Sequence, residues 1–174
     1  MASLVDRMIR ATKLDVSLYE EVEADQTAMP QAMATVAISS LAAGIGSLSA
    51  LGLSGLLLGV IVALVGWYIW AFLTYFIGTK LLPEPGTKAD LGELMRTIGF
   101  SSAPGVLRML GFVPVLGGII VLAASIWMLV AMIIAVRQAL DYRSTWRSVG
   151  VCLIGWIVQV VLFGMLFAAL GVRL

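Results

Sequence analysis

Arg96 and Arg108 stand twelve residues apart in RTIGFSSAPGVLRML, residues 96–110, within an otherwise apolar region. A guanidinium beside a bilayer has two uses: it anchors a helix by snorkelling to the interface, or it grips a lipid phosphate through its planar fork of N–H donors. Arg7, Arg10 and Lys13 recur near the N-terminus, and Arg143 and Arg147 in the polar link RQALDYRSTWR. With Arg96 and Arg108, these are the candidate lipid-headgroup contacts. The acidic counterpart is DVSLYEEVEADQTA, residues 15–28, where Tyr19, Glu20, Glu21, Glu23 and Asp25 form a candidate partner-docking segment. It lacks the spacing and glycine turn of a calcium loop. Gln159, deep in the last apolar block, is a candidate interhelical polar contact. Arg137 and Asp141 are four apart and would pair on a continuous helix.

The absences narrow the chemistry further. Histidine is missing, and aspartate and glutamate are missing from the long apolar blocks. That removes histidine triads, most zinc sites and the carboxylate relays of pumps. Lys13, Lys80 and Lys88 lie outside the expected spans, so no serine–lysine dyad forms, and there is no GxxxxGK[ST] phosphate loop. Cys152 is the single cysteine, so no disulfide forms within the chain. The expectation is a protein that is not an enzyme, with no metal, no cofactor and no nucleic-acid partner.

These residues must be positioned by membrane helices. The chain is 61% hydrophobic and 12% charged, far from the roughly 25% charged residues of a soluble domain. A bilayer core of about 30 Å takes roughly 20 apolar residues per helix. Spans are expected at about 30–51, 53–77, 91–110, 113–136 and 149–172, forming one membrane domain over residues 29–174. Pro30 suits a helix start, and Gly52 and Ser54 mark an uncharged turn. The aromatic run GWYIWAFLTYF suits a membrane interface. Residues 1–28 read as an amphipathic helix followed by an acidic tether. In SLVDRMIRATKL, Leu4, Val5, Met8 and Ile9 share one arc while Asp6, Arg7, Arg10 and Lys13 share the other, the pattern of an interfacial helix. These charged first residues contain no signal peptide.

Topology turns on residues 91–110. If they cross, Arg7, Arg10, Lys13, Lys80, Lys88, Arg96, Arg137, Arg143 and Arg147 share one side with every acidic residue, and only Arg108 and Arg173 lie opposite. If the stretch dips and returns, the basic residues divide less sharply and Asp141 changes side. The positive-inside rule favours five crossings. Pro104 would kink the third span and free the Phe100 carbonyl for Ser101, Ser102 or a neighbouring helix. The two arginines would snorkel towards opposite surfaces.

The acidic, tyrosine-containing approach DVSLYEEVEAD, the small-residue first span, the charged loop, the glycine and proline core GFSSAPGVLRMLG and the terminal fifth span together resemble the Yip-one domain family, named for Ypt-interacting proteins. The resemblance spans about residues 15–172 and points to a compact, bacterial-type member. It implies an all-α integral membrane protein: a five-helix bundle with a cytoplasmic N-terminus and the C-terminus on the opposite side, in the cell inner membrane. Eukaryotic members act in vesicle traffic and contact prenylated GTPases through a long N-terminal region. Only about 28 residues precede the first span here, which argues against GTPase binding. The implied function is non-enzymatic membrane organisation or partner recruitment. The bilayer would be one partner, and a membrane protein or a second copy of the chain another. A small channel or transporter, or an accessory subunit of a membrane complex, is the alternative.

Overall fold

Polar caps decide where several helices begin. In the computed structural model, the backbone is described for residues 2–169, and side chains for all of these except 48–51, 53–54, 163–164 and 166–169. Ser3 Oγ accepts the Asp6 N–H at 3.1 Å and opens α1 (Leu4–Thr12). The Asp15 carboxylate accepts the Ser17 N–H at 3.0 Å and opens α2 (Val16–Ala24). Pro30 sits in the first turn of α3 (Met29–Gly46). Then α4 (Leu48–Phe76) runs on through a π-helical turn, Ile77–Leu81. Gly52 interrupts α4 near its start with φ 66 and ψ −178, a conformation open in practice only to glycine. Asp90 and Glu93 cap α5 (Leu91–Ser101) reciprocally, with N–H to carboxylate distances of 2.7 and 2.8 Å. A 3-10 segment (Ala103–Phe112), α6 (Gly117–Ala139) and α7 (Thr145–Ala169) complete the chain.

The protein is all-helical, with no strand among the described residues. Four helical segments are long and apolar enough to cross a membrane: Gln26–Gly46, Gly55–Leu81, Gly117–Ala139 and Thr145–Leu162. They match four of the five expected spans; the expected tip of the last, with Arg173, lies outside the described residues. The expected third span is not one continuous kinked α-helix. Pro104 has no N–H to give and its ring crowds the preceding turn, so α5 stops at Ser101 and the chain resumes as a 3-10 helix. The Ser101 and Ser102 hydroxyls donate to the carbonyls of Ile98 and Gly99, both at 2.7 Å, rather than to that of Phe100. The acidic tether is also ordered: it folds as α2 and buries Leu18, Tyr19 and Val22 completely.

Close contacts show how residues 91–112 run. A Cβ added at Gly99 would stand 2.8 Å from Ala32 Cβ, one at Gly105 would collide with Ser39 Oγ, and one at Gly111 would stand 3.3 Å from the Gly46 carbonyl oxygen. Residues 32, 39 and 46 are two helical turns apart along α3. The later segment therefore runs beside α3 in the same direction for most of its length. One end of the bundle gathers α2, the end of α4, the start of α5 and the 140–147 link. There the Tyr142 hydroxyl lies 2.9 Å from Gly78 O and 2.7 Å from Leu82 O, and the Gln138 amide donates to Glu20 at 3.0 Å. The opposite end carries the turns near Gly46 and Gly111.

Replacing Gly99 with leucine should lower stability by about 1–3 kcal/mol through overpacking against α3. Gly59→Leu, with nothing within 4 Å of its added Cβ, should not lower it. Thermal unfolding of both variants in mild detergent tests the close approach.

Candidate functional site

The N-terminal charges pair with one another. Arg7 is 3% exposed. Its Nε donates to Glu21 Oε1 at 3.0 Å, Nη1 to Gln31 Oε1 at 3.0 Å and Nη2 to Asp25 Oδ2 at 2.7 Å. Arg10 Nε donates to Asp15 Oδ2 at 2.8 Å and Nη1 to Glu21 Oε2. Helical periodicity put Arg7 on the polar face of α1. The fold turns part of that face inward, because α2 presents its carboxylates there. Leu4 and Met8 pack against the core, whereas Val5, Ile9 and Lys13 remain exposed.

Arg96 is also buried, and the reason is a helix end. Its Nε donates to the Val22 carbonyl at 2.8 Å and its Nη2 to that of Glu23. These are among the last carbonyls of α2, left without intrahelical donors and carrying the negative end of the dipole. Of the candidate docking residues, Tyr19 is fully buried and its hydroxyl has no partner among the described residues. Glu20 meets Gln138, while Glu21 and Asp25 meet arginines. Arg10, then Arg7, holds Glu21 below the ordinary carboxylate range. The Thr27 hydroxyl and the Arg7 guanidinium hold Asp25 at about 2. Glu23 goes the other way: burial, then the negative charges of Asp141, Glu93 and Glu20, push it up to about 7.

The 137–147 link departs from the helical expectation. Asp141 adopts φ 53, so the chain turns after α6 and the four-residue spacing no longer aligns Arg137 with Asp141. Arg137 donates instead to the carbonyls of Tyr142 and Arg143, at 3.2 and 3.4 Å. Arg143 is exposed, and its backbone N–H bonds Glu84 at 3.0 Å. Arg147 pairs with Glu84 at 3.3 Å and donates to Pro83 O at 2.9 Å.

The second cluster lies among the spans. A cavity of about 520 Å³ is lined by Ser39 and Ser40 of α3, Ser101 and Ser102, Arg108, Ser125 of α6 and Gln159 of α7, with Trp67, Trp70 and Met128 among its apolar walls. Arg108 does not snorkel outward. Its Nε donates to Gly105 O and its Nη2 to Ser39 Oγ, both at 3.3 Å, so the guanidinium reaches back along the segment towards the middle of α3. No interhelical hydrogen bond of Gln159 is present among the described residues; it faces the cavity. Sequence reasoning singled out Arg108 and Gln159 separately and missed that they line one cavity. It also read Ser39 and Ser40 as small packing residues, Ser101 and Ser102 as partners for the Phe100 carbonyl, and the tryptophans as interface residues, although Trp67 and Trp70 are both buried. The legible signal was hydroxyl pairs at 39–40 and 101–102 in apolar surroundings. Among the described residues no group of side chains is arranged to hold a metal.

A family model described as the Yip1 domain matches residues 21–167. No curated protein and no solved structure matches the chain.

The Glu23 environment gives a pH signature. Its folded-state pKa exceeds the unfolded carboxylate value of about 4.3, so between that value and about 7 the folded chain binds more protons and stability falls as pH rises. Glu23→Gln should therefore be more stable than the parent at about pH 8, with the gap closing near pH 4. Melting in detergent at both pH values checks this; a gap that does not change with pH would show that the carboxylate is not its cause.

Proposed function

We propose that this chain, which belongs to the Yip1 domain family, crosses the membrane five times and works without catalysis, organising the bilayer around it or recruiting a membrane partner. The observation that carries the topology is the run of residues 99–111 beside α3, in the same direction and between the same two ends of the bundle. Charge supports it. The end that gathers α2, the start of α5 and the 140–147 link holds every acidic residue and most basic ones, which supports a cytoplasmic placement of that end by the positive-inside rule; in this reading the setting is the inner membrane of a bacterial cell.

The surface of that end suits contact with lipid and with a partner. Val5, Ile9 and Lys13 follow one another at four-residue intervals on the exposed side of α1. They would lie at the headgroup boundary, apolar residues inserted and the amine towards phosphate. Arg143 and Arg147, beside the 83% exposed Trp146, would do the same on the link. Arg7, Arg10 and Arg96 serve instead to hold α2 in place, and the exposed Glu20 remains open to a partner. A small channel or transporter is the second reading, favoured by the polar cavity. Purified protein in liposomes should pass no solute; flux abolished by a Gln159 substitution would establish that second reading. Crosslinking of the intact protein in native membranes would identify the recruited partner.

Topology has its own test. In a Cys152→Ser background, cysteine is introduced at Lys88, in the proline loop, or at Val115, which is 92% exposed in the turn before α6. In sealed vesicles the two should react with an impermeant thiol reagent from opposite faces. Labelling from one face alone would mean that residues 91–112 dip and return.

A further inference from the structure

Arg108 is a cation without a counter-ion. No carboxylate pairs with it among the described residues, and its two hydrogen bonds, at 3.3 Å each, sit beyond the usual 2.7–3.2 Å range for N–H donors. A guanidinium has five donors, so most of this one's capacity is unspent at a partly buried position. Arg108 is partly buried, and an unpaired charge withdrawn even in part from water carries a cost that an anion in the cavity would offset. Ser39 Oγ already accepts from Arg108, which leaves its own proton free to donate. The Gln159 amide lines the same space and can add N–H donors. By contrast, Ser40, Ser101, Ser102 and Ser125 spend their protons on backbone carbonyls.

We propose that the cavity is a binding site for a phosphate group, gripped by Arg108 with Ser39 and Gln159. Its volume of about 520 Å³ falls within the roughly 300–1,000 Å³ of ordinary ligand pockets. Its walls suit an amphiphile. Trp67, Trp70 and Met128 are apolar, and Ser125 and Leu129 of α6 are exposed on the outside of the bundle while also lining the cavity, so it opens sideways. A phospholipid can enter from that side with its acyl chains along the apolar wall, and inorganic phosphate offers the same anion without the chains. The inference rests on the geometry of the cavity and not on the recruiting role proposed above.

The test is thermal unfolding of the full chain in neutral detergent, titrated separately with short-chain phosphatidylglycerol, with inorganic phosphate and with an uncharged glycolipid of equal chain length. Phosphatidylglycerol should raise the melting temperature and the glycolipid should not. A rise with phosphatidylglycerol alone assigns the site to a lipid; a rise with inorganic phosphate as well assigns it to the free anion too. Arg108→Gln should weaken the response at least about tenfold, the loss expected for a charged hydrogen-bonding donor, and Arg108→Lys should keep part of it. Without ligand, Arg108→Gln should melt no lower than the parent, which separates a binding defect from a folding defect. Ser39→Ala should weaken binding to a smaller extent, and Lys88→Gln, exposed in the proline loop, should leave it unchanged. Equal responses in the parent and Arg108→Gln, or an equal loss in Lys88→Gln, would overturn the proposal.

Discussion

A guanidinium withdrawn from water must find acceptors, and Arg96 finds them at the open end of a helix. The carbonyls of Val22 and Glu23 take its protons, so one side chain satisfies two groups that α2 cannot satisfy itself. This contact joins the segment after the proline loop to the N-terminal segment more than seventy residues earlier. It lays α2 on the bundle, where Leu18, Tyr19 and Val22 become core. Arg7 completes the arrangement, linking α1 to Glu21, Asp25 and the first turn of α3. The acidic segment is thus the keystone of a charged cap over one end of the bundle.

The same economy governs residues 91–112. Pro104 ends the α-helix, and a 3-10 helix rises about 2.0 Å per residue where an α-helix rises about 1.5 Å. Eleven α-helical residues and ten 3-10 residues would extend about 35 Å if straight, enough to match a core of about 30 Å. Small residues make the route possible. Gly99, Gly105 and Gly46 let two backbones approach where any side chain would collide, the usual means of helix association when lipid supplies no hydrophobic drive. The serines that accompany the break line the space left between the neighbouring helices.

Several local features were legible in advance. Pro30 at a helix start, Gly52 at the first turn and the four long apolar helices follow from backbone restriction and hydropathy alone. The order in α2 was legible in principle: Asp15 and Ser17 form a cap, and Leu18, Tyr19 and Val22 fall at helical spacing. Five acidic groups masked that signal, because charge density suggests solvation unless the neutralising arginines are known to be near. The 137–141 spacing misled for a different reason. A four-residue interval implies a pair only while the helix continues, and it ends at Ala139.

Composition and periodicity by themselves determined that this chain is a helical membrane protein, where most of its apolar helices lie, and that histidine is missing and carboxylates are missing from the apolar blocks. Both follow from properties local to a segment: the length of an apolar run against bilayer thickness, and residue types present or absent. Only the tertiary structure decided the partners of the charges. Arg7 and Arg96 turned inward to α2, and Arg108 turned towards Ser39 and the space shared with Gln159. A long flexible cation can snorkel outward or reach inward from the same position in the sequence. The choice depends on which acceptors other helices bring within about 3 Å, and a linear pattern does not contain that distance.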